Sequence, residues 1–105
     1  MTDSTNPLPL VSVLISSYNH ADFVEASIRS VYAQSYPNIE LLVVDDGSRD
    51  GSVELLKQLQ AELGFDFVAQ ANKGLCTTLN EMIARSKGRY IAPVSYTHLT
   101  LPTKA

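Results

Sequence analysis

At 105 residues the chain has room for one small domain, and 45% hydrophobic with 18% charged residues is an ordinary globular balance. A formal charge of -3 argues against a nucleic-acid partner, which needs a basic face, and no apolar run approaches the ~18 residues of a spanning helix. The polar start MTDSTNPLP has neither region of a signal peptide, which points to the cytoplasm, and the single Cys76 precludes an intrachain disulfide or a cysteine metal cluster.

Residues 1–9 are polar, carry two prolines and read as a flexible lead-in to a domain over 10–93. Val11 to Ile15 is β-rich and nearly all apolar, as a strand buried on both faces requires. From Asp22 to Gln34 the residues Val24, Ile28 and Val31 recur at helical spacing, with Phe23 and Tyr32 widening the stripe. Pro37 ends that helix in a turn, and Ile39 to Val44 is a second buried strand that empties into the acidic loop Asp45 to Asp50. Asp50 or Ser52 caps a helix with the face Val53, Leu56, Leu59 and Leu63, which Gly64 closes. Phe65 to Ala69 is a short strand and Gln70 to Gly74 a polar loop. Leu75, Leu79, Met82 and Ile83 mark a third amphipathic helix, closed by Lys87 and Gly88, and Arg89 to Val94 is the fourth strand. The order β-α-β-α-β-α-β, with no hairpin signal, predicts an α/β fold: an open, mainly parallel sheet with helices on both faces.

Three loops then meet at the carboxyl edge of the sheet, where open α/β folds bind ligands: 16–20, 45–50 and 70–74. The first, SSYNHADF, has neither G-x-G-x-x-G nor a P-loop, so dehydrogenase and ATPase readings drop. It offers instead the Tyr18 ring, able to cover a base, and the small hydroxyls Ser16 and Ser17. Asp45 and Asp46 accept hydrogen bonds only, which suits a ring N–H or ribose hydroxyls. Taken alone, the same acids, Gly47 and Ser48 make a turn and a helix start, and Tyr18 a half-buried rim aromatic. Two neighbouring acids without a third oxygen donor are a poor metal site. His20 reads as a loop or capping residue, Cys76 as a small core or boundary residue, and Lys73 as a solvated loop lysine that could steer phosphate. His98 receives no role.

Three segments in order, VSVLISSYN, QSYPNIE and VVDDGSRDGS, followed by NKG and KGRYIA, resemble the amino-terminal half of a family 2 glycosyltransferase. The resemblance covers Leu10 to about Pro93 and implies the GT-A fold, a Rossmann-like sheet, whose nucleotide-binding half holds a nucleotide-diphosphate sugar, often a UDP-sugar. Carried over by position, Ser16 and Tyr18 contact the base, with Asn19 in the same nucleotide-binding turn. Asp46 accepts from base or ribose while Asp45 supports the loop. Asn72, Gly74 and Asn80 match the family's N-x-G segment and the Asn that follows it. Leu79 departs, since many members have Arg there.

A larger departure follows the fourth strand. The family places an acid-x-acid motif there to hold a divalent metal, Mg or Mn, on the donor diphosphate, yet this chain has no acidic residue after Glu81. The implied whole protein is a metal-dependent inverting transferase, and neither its metal ligands nor its carboxylate base is expected within this chain. The chain as given is therefore expected to bind nucleotide without catalysing transfer. A nucleotidyltransferase is the competing reading, which a glycine-rich basic first loop would favour. SYTHLTLPTKA also resembles a translated sequencing-adapter read-through, so residues 94–105 are expected to be non-native. A truncated sheet with an open edge and an exposed apolar face predicts self-association.

Overall fold

The computed structural model describes residues 8–95. Seven elements follow one another as β1 (Val11–Ser17), α1 (Ala21–Tyr32), β2 (Ile39–Asp46), α2 (Ser52–Leu63), β3 (Asp66–Gln70), α3 (Leu75–Arg85) and β4 (Tyr90–Ser95). The strands form one parallel sheet in the order β3-β2-β1-β4. The chain walks outward from β1 to β3, then jumps back past β1 to lay down β4. With crossovers of one hand, such a reversal puts the last helix on the face opposite the first two.

The two cores follow from strand alternation. Val13, Ile15, Leu41 and Val43 pack against Val24, Ile28 and Val31 of α1, Leu56 and Leu59 of α2, and Phe65. The intervening Leu14, Leu42 and Val44 face the other way and meet Met82 of α3, with Val68 and Leu79 at the margin. The second core is much the thinner, so each of its side chains carries a larger share of the packing that holds α3 to the sheet.

Several expectations are revised. Both acids lie within β2, not in a loop after it: Asp45 pairs with Ser17 of β1 and with Ala69 of β3, and Asp46 with Gln70. Partner strands on both sides at Asp45, and β3 alone at Asp46, carry β2 two residues past its apolar run. Leu75 and Ile83 do not belong to a buried stripe, being 48% and 45% exposed, because the narrow apolar floor under α3 is already covered by Thr78, Leu79 and Met82. Phe23 and Tyr32 are likewise exposed, flanking a stripe of Val24, Ser27, Ile28 and Val31. Gly64 caps α2 as expected, but α3 ends at Ser86 in extended backbone and Gly88 has a different duty. Its amide donates to Ser12 Oγ at 2.8 Å, and a Cβ there would run into the Ser12 side chain and backbone nitrogen. At the same end of the sheet Glu40 accepts from Ser12 Oγ and from the Lys87 amide, at 2.7 and 2.9 Å, anchoring the turn into β4.

Leu8 and Pro9 of the expected lead-in are tied to the turn before β2. Asn38 Nδ2 donates to Leu8 O at 2.9 Å, and the Tyr36 hydroxyl donates to Pro9 O. Residues 96–105, most of the expected non-native tail and His98 with it, lie outside the described residues.

Candidate functional site

The carboxyl ends of β1 and β2 and the start of α3 enclose a cleft of about 220 Å³ lined by Ser16, Tyr18, Asp46, Asn72, Gly74 and Leu75. Five of the seven residues singled out from the sequence thus converge on one space; Asn19 and Asp45 do not line it. For Asp45 the reason is period two again. Ser16 and Asp46 are on the α3 side of their strands, whereas Ser17 and Asp45 face the side of α1 and α2.

Asp46 forms the floor and is only 3% exposed. Its Oδ1 accepts from Gln70 Nε2 at 3.0 Å and from the Lys73 amide at 2.8 Å, and its Oδ2 accepts from the Gly74 amide at 3.0 Å. Asn72 Nδ2 donates to the Asp46 carbonyl at 3.0 Å. One buried residue therefore wraps the 70–74 loop around itself. Burial pushes its carboxyl up, but the bonds from Gln70, Lys73 and Gly74 prevail and hold it below the usual carboxylate range. Close approach of the two loops also dictates Gly47. Its φ is +89°, and a Cβ would come within 2.9 Å of the Asn72 amide nitrogen.

Asp45 is wholly buried, and both of its oxygens hold Ser48, accepting from the amide at 2.8 Å and from the hydroxyl at 2.6 Å. Ser48 Oγ in turn accepts from the Asn19 amide at 2.8 Å, and Asn19 Oδ1 accepts from the Arg49 amide at 2.8 Å. Asn19 takes a left-handed backbone, φ 55°, that Asn tolerates better than most residues. The first two loops are thus stitched together beside the cleft, and Tyr18, 41% exposed, stands at its mouth.

Other sequence candidates fall away from the cleft. Lys73 donates its amide to Asp46 but turns its ammonium to Glu81 at 3.1 Å, beside a separate cavity floored by Val44, Val68 and Met82. Leu79 packs on the α3-side core, while Asn80 and Cys76 are exposed and do not line the cleft. The Ser17 hydroxyl is buried on the opposite face with no hydrogen-bond partner among the described residues. Among those residues no group of three or more His, Cys, Asp or Glu could hold a metal. The two adjacent acids point to opposite faces and cannot converge on one ion, so this pair does not fit a divalent cation.

Three contributors were not singled out from the sequence as site residues. Gln70 braces Asp46 and also donates to Thr78 Oγ1 at 2.9 Å, and Leu75 lines the cleft. Asp50 binds the starts of both α1 and α2, accepting from the Ala21 amide at 3.1 Å, the Ser52 amide at 3.1 Å and the Ser52 hydroxyl at 2.5 Å. Ser52 and Ala21 hold its carboxyl below the ordinary range against a smaller opposing effect of burial. The signal for Asp50 was the second Asp-Gly-Ser in DGSRDGS, an Asp two residues ahead of a helix-starting Ser.

The family model described as glycosyl transferase family 2 matches residues 12–94. TuaG, provisionally named a teichuronic acid biosynthesis glycosyltransferase in Bacillus subtilis (strain 168), is 39% identical over 90 residues, which are 84% of this chain and 36% of that protein. The fold is similar to that of the mannosyltransferase PcManGT from Pyrobaculum calidifontis, solved in complex with GDP-Man and Mn2+. That match has a TM-score of 0.77 at 23% identity and covers 87% of this chain and 28% of the other. It is also similar to S. aureus TarS 1-349 in complex with UDP-GlcNAc, with a TM-score of 0.74 at 22% identity over 83% of this chain and 26% of that one. The chain therefore spans between about a quarter and about a third of these proteins' length.

Proposed function

The chain belongs to glycosyl transferase family 2, and from that premise we propose that its cleft binds the nucleotide of a nucleotide-diphosphate sugar, a UDP-sugar. The whole protein would then transfer the sugar to an acceptor hydroxyl. The observation that carries the reading is the convergence of Ser16, Tyr18, Asp46, Asn72 and Gly74 on one cleft at the carboxyl edge of the sheet. Relatives of this fold solved with GDP-Man or with UDP-GlcNAc support the ligand class.

In this reading Tyr18 covers one face of the base and Ser16 offers a hydroxyl beneath it. Asp46 has two duties. Three N–H donors already occupy its carboxylate, leaving one acceptor position on Oδ2 for a ring N–H or a ribose hydroxyl. Asn72 and Gly74 are held at the wall by the same carboxylate. Asp45 and Asn19 act one step back, fixing the loops through Ser48 and Arg49.

The divalent metal, Mg or Mn, and the carboxylate base are assigned to the portion of the whole protein that this chain does not span. A metal would offset the charge that grows on the departing diphosphate. Transfer activity is accordingly not expected of the 105-residue chain. Among the described residues no helix is long and apolar enough to cross a membrane. We place the whole protein in the cytoplasm or at the cytoplasmic face of a membrane, which fractionation would test.

NMR titration of the 105-residue chain with UDP tests the central claim. Binding should be measurable in the wild type, and Tyr18→Ala should weaken it about tenfold, the loss expected of one base–aromatic stack. Equal affinity in the two proteins, or none in the wild type, overturns the assignment.

A further inference from the structure

On the reading that the cleft holds a nucleotide, we infer that Asp50 is a positioning residue for it, locking the Tyr18 loop to the acidic loop by serving two helix starts with one carboxylate. Ala21 and Ser52 are the first residues of α1 and α2, and neither helix receives a side-chain cap from its own N-cap residue, His20 or Gly51. Asp50 supplies the acceptor instead, Oδ2 to the Ala21 amide and Oδ1 to the amide and hydroxyl of Ser52. Both helices direct the positive ends of their dipoles at it, so a negative charge is favoured there twice over.

The geometry then reaches the cleft. Ala21 lies three residues beyond Tyr18, and the intervening Asn19 is already bonded to Ser48 and Arg49. The Ala21 amide ties the far end of the turn that presents the ring to the acidic loop. Of the three side chains that accept hydrogen bonds between these loops, those of Asn19, Ser48 and Asp50, only Asp50 is charged. Ser52 is wholly buried, so its amide and hydroxyl cannot turn to water if the carboxylate is lost. Asparagine is not equivalent. It has one acceptor oxygen and would point an NH2 at one of the two helices, so it can serve α1 or α2 but not both.

The test is a double-mutant cycle read by UDP titration in the 15N-labelled 105-residue chain: wild type, Asp50→Asn, Tyr18→Ala and the pair. Asp50→Asn should weaken UDP about fivefold, and that loss should vanish once Tyr18 is already alanine, because Asp50 acts through the ring. A uniform loosening of the domain would give additive losses, and additivity or unchanged affinity in Asp50→Asn overturns the inference. If the wild type fails to bind UDP, the nucleotide reading itself has failed, and the lock is judged by hydrogen exchange. Slow exchange of the Ala21 amide in wild type, accelerated in Asp50→Asn, upholds the lock; equal rates overturn it. Should Asp50→Asn not fold, unprotected exchange at Ala21 in the wild type is the overturning result and protection the upholding one.

Discussion

Replacing Asp46 by Asn probes how much of the 70–74 loop hangs on one carboxylate. The wild-type group accepts three N–H bonds, two at Oδ1 and one at Oδ2. An amide keeps its oxygen for Gln70 and Lys73 but turns an NH2 toward the Gly74 amide, where donor would face donor. Loss of a hydrogen bond to a buried charged group costs about 1.5–3 kcal/mol, and the two that survive weaken as they become neutral. A total near 3 kcal/mol is a large share of the ~5–15 kcal/mol that holds a domain of this size. Urea denaturation should show it as a midpoint lowered by ~2 M at unchanged slope, taking the slope of a small domain. Acid titration gives an independent reading. The folded pKa of Asp46 lies below the unfolded value of ~3.9, so its stabilisation is complete above that pH and is lost as pH falls through the folded value. Asp50 is displaced the same way and shares the window. Asp46→Asn should therefore flatten the acid limb of the stability curve as well as lower its plateau. A midpoint shift under ~0.5 M, with an acid limb identical to wild type, would refute the loop-holding role.

Two further outcomes follow from the packing. Met82→Ala should cost about 2–5 kcal/mol by opening a cavity in the thin core under α3, whereas Ile83→Ala on the exposed side of that helix should change the urea midpoint little; comparable losses would contradict the placement of α3. The 105-residue chain should self-associate through a second copy of itself at β4. That strand is an edge among the described residues, with Tyr90 58% and Ile91 38% exposed, beside an apolar groove of about 630 Å³ between α1 and Ala92 and Val94. Sedimentation showing a monomer at all concentrations, with a concentration-independent melt, would count against it.

The parallel α/β architecture was legible because each signal was local: nearly all-apolar runs for β1 and β2, helical spacing in α1 and α2, glycine after Leu63. The convergence of Ser16, Tyr18, Asp46, Asn72 and Gly74 was legible too, since strand ends of one parallel sheet share an edge. What the pattern could not show was decided by pairing partners. Asp45 and Asp46 read as loop because aspartate is poor in strands, and only β1 and β3 beside Asp45, and β3 beside Asp46, kept them in register. Leu75 and Ile83 read as core because helical spacing does not reveal how wide a floor the sheet offers. Asp50 read as a cap for one helix, and the amide of Ala21, 29 residues away in sequence, could be found only in three dimensions.

The alternation at the end of β2 has a consequence for variation. Asp45 and Asp46 are chemically identical neighbours, yet one serves the loop on the α1 and α2 side and the other the loop above α3. Their identity is positional, set by parity along the strand. A single-residue deletion anywhere between Ile39 and Val44 would leave the dipeptide spelled as before while exchanging the addresses of its two carboxylates, each then delivered to a loop shaped for the other. Within this strand, counting residues matters as much as naming them.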